Sequence, residues 1–148
     1  MTRPGRARRL AVEMPATLAA LVVACVVEVG LRATKLQRLA RFLGTPLALG
    51  DTSPGSTAAR RAALPASATR QVSATRRVLR HWPFGDTCLR QALISGQRLR
   101  RLGPELHVGV AKIDGEIRAH AWLEIDGAIL DPRYAATSYQ TLAQPPGG

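Results

Sequence analysis

Two Asp–Gly dipeptides, Asp114–Gly115 and Asp126–Gly127, constrain this chain more than any other feature. Between alternating segments, Asp–Gly signals a two-residue hairpin turn, because both central residues of that turn need positive φ. Ahead of the first turn, Leu106, Val108 and Val110 alternate with His107, Gly109 and Ala111. After it, Ile117, Ala119, Ala121 and Leu123 alternate with Arg118, His120, Trp122 and Glu124. The second turn leads into 128–131, so the segment reads as a three-stranded antiparallel meander. Such turns also fix register. With Ile113 opposite Glu116, His120 falls opposite Gly109 and His107 opposite Trp122. With Ile125 opposite Ala128, Trp122 falls opposite Asp131. One face then carries Leu106, Val108, Val110, Ala119, Ala121, Leu123 and Leu130 as core, and the other carries His120, Trp122 and Asp131. His120 and Asp131 become diagonal neighbours within about 7–8 Å at the backbone. Gly109 leaves open space beside the imidazole, which makes Gly109 and Trp122 candidate substrate-binding positions.

A helix precedes the meander. Asp86 or Thr87 can cap it, and Leu89, Ala92, Leu93, Gly96, Leu99 and Leu102 return on one face until Gly103–Pro104 stops it. Cys88 falls in its first turn, facing unpaired backbone N–H groups and the positive end of the helix dipole. That setting favours thiolate over thiol, and an adjacent imidazolium favours it further. Cys88, His120 and Asp131 therefore form a candidate nucleophile, base and orienting carboxylate, the triad logic of acyl transfer. The Cys88 N–H can form part of an oxyanion hole, and water or an amine would clear the thioester. Taken singly, each residue has an ordinary reading: a structural cysteine, a solvated strand histidine, a turn aspartate. The case rests on their convergence. His107 is a competing base, ranked lower because Asp131 is not its diagonal neighbour. His81, beside Trp82–Pro83, reads as a loop residue.

The net charge of +11 sits entirely in the front half: residues 1–80 hold 14 Arg/Lys against Glu13, Glu28 and Asp51, whereas 81–148 hold seven of each sign. A basic segment suits an acidic protein, an anionic membrane surface or nucleic acid. Six aromatics in 148 residues are too few for a base-stacking platform among these cations, which argues against nucleic acid. Two cysteines, Cys25 and Cys88, in unlike surroundings exclude a disulfide-built scaffold. No CxxC or HExxH occurs and His81, His107 and His120 lack ligand spacing, so neither a metal nor another cofactor is expected. Residues 1–13 read as a loose basic arm. Pro15 suits a helix's first turn, and one or two helices are expected over 15–43. Their apolar run, Ala16 to Val27, is too short for the roughly 20 residues of a membrane span. Cys25 within it reads as a small buried residue. Residues 44–66, punctuated by Gly and Pro, read as a linker; a short helix follows at about 67–81, within a core at 67–139. Residues 140–148 read as a frayed tail.

The stretches Cys88-Leu89-Arg90-Gln91-Ala92-Leu93, Leu106-His107-Val108-Gly109-Val110 and Ala119-His120-Ala121-Trp122-Leu123-Glu124-Ile125-Asp126-Gly127 resemble the leader peptidases of lasso-peptide biosynthesis, small bacterial cysteine proteases of the transglutaminase-like superfamily. The motif-bearing match covers roughly residues 80–131. The resemblance implies an α+β fold, with N-terminal helices ahead of a nucleophile helix packed on a small antiparallel sheet, a papain-like core. It implies removal of the leader from a ribosomally made precursor peptide by Cys88, His120 and Asp131. A separate ATP-dependent cyclase then closes the macrolactam. At 148 residues the chain is expected to be the stand-alone protease of a split system in the cytoplasm, with a separate small leader-binding protein delivering substrate and the basic helices docking that protein, a cyclase or the membrane surface. Ala92, where a Ser is common, and His107, where an apolar residue is usual, depart from the pattern. The rival readings are a transglutaminase-like acyl transferase and a non-catalytic basic adaptor in the same maturation complex.

Overall fold

The computed structural model describes residues 4–48, 63–130 and 140–141. The chain is α+β. Four helices, α1 (Pro4–Ala33), α2 (Leu36–Phe42), α3 (Ala66–Arg80) and α4 (Cys88–Arg98), are followed by a single 3-10 turn (Arg100–Leu102). Four strands then follow: β1 (Glu105–Ile113), β2 (Glu116–Ile125), β3 (Ala128–Leu130) and β4 (Gln140–Thr141). The antiparallel sheet has the order β3-β2-β1-β4.

Both expected hairpin turns form, with Asp114 and Gly115 at φ 52° and 83° and Asp126 and Gly127 at φ 50° and 70°. Aspartate tolerates this left-handed region and glycine meets no Cβ penalty there. The registers follow: Gly109 pairs with His120, His107 with Trp122 and Leu123 with Leu130. The meander gains a fourth strand, because Gln140 and Thr141, expected in a frayed tail, pair with Val110 and Gly109. Further along the same edge of β1, the chain at 46–48 docks in parallel, with Leu106 N–H donating to the Pro46 carbonyl at 2.9 Å and Ala48 N–H to the Leu106 carbonyl at 2.8 Å. The opening residues of the expected linker are thus pinned to the sheet, and Thr45 is fully buried. Residues 49–62 lie outside the described residues.

The N-terminal helices share one core with the sheet, where Ala20, Ala24 and Val27 of α1 and Leu39 and Ala40 of α2 join Leu93, Leu106 and Leu123. α1 starts well before Pro15, within the segment expected to be a loose arm, and Pro15 sits inside it. The Ala-, Arg- and Leu-rich residues before Pro15 favour helix strongly enough to carry it through one missing N–H. The helix is also longer than the apolar run suggested: Glu13–Ala33, 21 residues at mean hydropathy 2.1, are by length and composition enough to cross a membrane, though 22% of that window is buried within the protein. Cys25 is exposed rather than buried, since it lies on the opposite side of α1 from Ala20, Ala24 and Val27. A helix apolar on all sides gives no periodic signal of which side packs.

The two sheet faces also differ from expectation. Leu106, Ala121 and Leu123 meet the helices as expected, but Ala119 is exposed and Ile117 is 80% exposed. α4, at about 16 Å, is half the length of β2, at about 33 Å, so the first hairpin runs out beyond the helical layer. The face that carries His120 and Trp122 is buried at its centre, where His107, His120 and Trp122 all have 5% exposure or less.

Gly96 sets the distance between α4 and the docked chain at Thr45, because a Cβ there would collide with Thr45 Cγ2 and press on Leu123. Gly96→Ala is therefore expected to cost about 1–3 kcal/mol by overpacking, despite alanine's better helix propensity. Thr45→Ser, which removes the obstructing methyl, should recover most of the loss. Urea midpoints of the single and double variants check this, and a Gly96→Ala midpoint above wild type would refute the packing argument.

Candidate active site

Cys88 is the first residue of α4. Thr87 caps the helix, its Oγ1 accepting from Arg90 N–H at 3.3 Å, which selects Thr87 over Asp86 as the cap. The half-buried thiol is hydrogen-bonded to the His120 side chain, and the backbone N–H groups of Ala121 and Leu89 also reach the sulfur. In the β2–β3 register, Leu123 and Ile125 turn their backbone groups toward β3, and Ala121 continues that series beyond Leu130, the last described residue of β3. Its N–H is directed to the sulfur. His120 stabilises the thiolate most, first by its hydrogen bond and then by its charge, with the Ala121 and Leu89 N–H groups adding to it. Burial opposes them and loses, so the thiol titrates below the ordinary cysteine value.

His120 is held by packing on the other side. Trp122 stacks on it at 6.0 Å and 23°, and His107 stacks in turn on Trp122 at 5.7 Å and 13°. Near-parallel rings with centroids this far apart pack in an offset manner and limit rotation of the imidazole. His107 does not compete for the sulfur. Its Nε2 lies 3.5 Å from Glu124 Oε2, without hydrogen-bond geometry, and burial pushes its pKa down, partly offset by Glu124 and Glu105.

A small recess beside the thiol is lined by Cys88, Gln91, Ala92, Ser95, His120, Ala121, Trp122, Leu123 and Leu130. Trp122 thus borders the recess but is 2% exposed, which gives it a packing role beside His120. Gly109 faces His120 in the register, pairs with Thr141 on its other side, and is not among the lining residues. Asp131 lies outside the described residues. His81 is exposed at the C-terminal end of α3. Among the described residues, no group of three or more His, Cys, Asp or Glu is placed to hold a metal ion.

The profile of the transglutaminase-like superfamily matches residues 25–144. This chain belongs to the transglutaminase-like superfamily. Comparison with curated proteins finds no match, and comparison with solved structures finds none either. Transglutaminase-like proteins include cysteine peptidases and acyl transferases, and a thiol paired with an imidazole at a helix tip is compatible with both.

The transglutaminase-like match begins within α1, and the structure shows what α1 brings to the site. Glu28 is buried on its inner face and receives Arg90 twice, from Nε at 2.8 Å and Nη2 at 3.3 Å. It also receives Arg32 at 2.8 Å and the Trp82 indole N–H at 3.5 Å. Arg90 further donates to Thr87 Oγ1 at 3.4 Å, while the Arg32 guanidinium lies 4.3 Å over the Phe84 ring. One carboxylate thus ties α1 to the loop before α4 and to the turn that carries Cys88. The Arg90 hydrogen bond is the main reason its carboxyl stays below the ordinary glutamate value, in spite of burial. Glu28 escaped the sequence reading, although it is the sole acid between Glu13 and Asp51. Gln91 and Ser95, one and two turns beyond Cys88, are also buried and line the recess.

Proposed function

We propose that this chain is a cysteine peptidase that removes the leader from a ribosomally made lasso-type precursor peptide. The observation carrying the reading is the Cys88 thiol at a helix tip, hydrogen-bonded to His120 and held toward thiolate by it. In this scheme Cys88 Sγ attacks the scissile carbonyl carbon, and the oxygen takes up the charge beside backbone N–H groups at the start of α4. His120 then gives its proton to the departing amine as the C–N bond breaks and a thioester remains. Water, losing a proton to His120, attacks the thioester and releases the leader's carboxylate and the free thiol. Asp131 is the proposed third member, orienting the imidazole from beyond β3, as the hairpin register and the lasso-peptidase resemblance suggest. No cofactor enters the scheme.

The peptide partners follow from the same resemblance: a precursor, a separate small leader-binding protein that presents it, and a cyclase that takes the freed core. Incubation of the purified chain with a cognate precursor and leader-binding protein, read by mass spectrometry, tests the proposal. The expected products are leader and core differing from the precursor by one water, with no cleavage by Cys88→Ala. A ligated or cross-linked product, in which an amine has taken up the acyl group in place of water and the thiol is released, would assign acyl transfer instead. Undiminished cleavage by Cys88→Ala would overturn the mechanism.

A further inference from the structure

The outward side of α1 is a stripe with no charge on it. Met14, Leu18, Leu21, Val22, Val26 and Val29 are 42–65% exposed, and at 3.6 residues per turn they occupy an arc of about 140° and a length of about 22 Å. Every exposed position of α1 from Met14 to Val29 is apolar, Cys25 among them. Charge returns only at the ends. Arg6, Arg8 and Arg9 precede the stripe in sequence, and exposed Arg32, Lys35, Arg38 and Arg41 follow it. From Met14 to Ala48 the single acid is Glu28, which is buried. Helices apolar all round are normally covered on all sides, whereas the protein covers only one side of this one.

We propose that the stripe seats the protein on an anionic lipid surface, with α1 lying in the plane of the interface. Three observations favour this occupant. The flanks carry cations at both ends, and the one acid beside the stripe that is not buried, Glu13, is paired with Arg77 at 3.2 Å, which complements anionic headgroups along the length of the helix. A second copy would set the same cations against each other in a molecule of net charge +11. The stripe is aliphatic, without the aromatic anchors and hydrogen-bonding side chains that mark protein interfaces. The helix lies flat instead of spanning because its other side is fixed to the fold through Ala20, Ala24, Val27 and the Glu28–Arg90 pair.

The test is vesicle co-sedimentation of the full chain, using phosphatidylcholine vesicles with and without phosphatidylglycerol at about one part in three. Binding is expected with the anionic vesicles, reduced by high salt and weakened about tenfold or more by Leu18→Asp combined with Val22→Asp. Both sites are solvent-facing, and circular dichroism checks that the variant folds. Independently, an environment-sensitive dye on Cys25 in a Cys88→Ser background should shift to the blue on the same vesicles. The proposal is overturned by absence of anionic-vesicle binding or by equal binding of the double variant. Salt-stable dimerisation through the stripe would overturn it too, as would resistance to alkaline extraction, which marks a spanning helix.

Discussion

Replacing His120 by alanine is expected to slow precursor cleavage by about 10²–10⁴-fold, the range for loss of a positioned acid–base group. Because the imidazole also holds the thiol toward thiolate, the same substitution should be visible without any peptide substrate. In a Cys25→Ser background, alkylation of Cys88 by iodoacetamide reports the thiolate alone. The wild-type rate should rise through a midpoint below the ordinary cysteine value, since the folded environment lowers the thiol's pKa chiefly through His120. In His120→Ala the midpoint should move up toward the ordinary cysteine value, with less thiolate at neutral pH and a rate lower by about tenfold. The Ala121 and Leu89 N–H groups remain in place, so part of the stabilisation survives. An unchanged midpoint in His120→Ala would show that the contact does not govern the thiol and would remove the main support for the peptidase reading. Trp122→Ala offers a graded comparison, since it frees the imidazole to rotate without removing it.

The second large effect is expected from the buried carboxylate of α1. Glu28→Ala leaves Arg90, 18% exposed on its side chain, without its bidentate partner and the Trp82 N–H without an acceptor. Breaking a buried pair from one side costs about 3–5 kcal/mol. The low end applies here, because Arg32 at the rim of the cluster is 58% exposed. A loss of about 3 kcal/mol should lower the melting temperature by roughly 6–12 °C in a domain of this size. The pH dependence carries a definite sign. Glu28 titrates below its ordinary value in the folded protein, so the unfolded chain binds its proton more tightly. The stability it contributes is present above the ordinary glutamate pKa and is lost as pH falls through that value toward the folded one. The gap in melting temperature between wild type and Glu28→Gln should accordingly narrow with acidification over that window. A constant gap would mean that the carboxylate's charge is not what holds the cluster. Arg90→Met tests the other partner, and slower Cys88 alkylation in either variant would show that the cluster positions the nucleophile's turn.

Features written in local sequence were legible, and those created by distant backbone were not. The two Asp–Gly turns dictated their own φ angles, and with them the register that sets His120 beside Gly109 and places the imidazole at the edge of β2. Thr87 before Cys88 announced the helix start, so the thiol's position could be read directly. By contrast, β4 and the docked chain at 46–48 join β1 through main-chain hydrogen bonds, which leave no pattern in side chains. The burial of His107, His120 and Trp122 was hidden because polar residues alternating along a strand mimic a solvated face. Cys25 was misplaced because an unbroken apolar helix hides its packed side. Glu28 stood out as a lone acid among cations, but its main partner lies 62 residues away.

The outer edge of β1 is completed by two short pieces of chain, 46–48 from before the strand and 140–141 from after the hairpin. During synthesis the first hairpin can form from neighbours alone, while the strand beside it must wait until residue 141 has left the ribosome. A nascent chain halted short of that point presents an open ladder of backbone donors and acceptors, the kind of surface on which unfinished sheets stick to one another. Residues 140–141 therefore act as a closing seam for a structure whose centre is already in place.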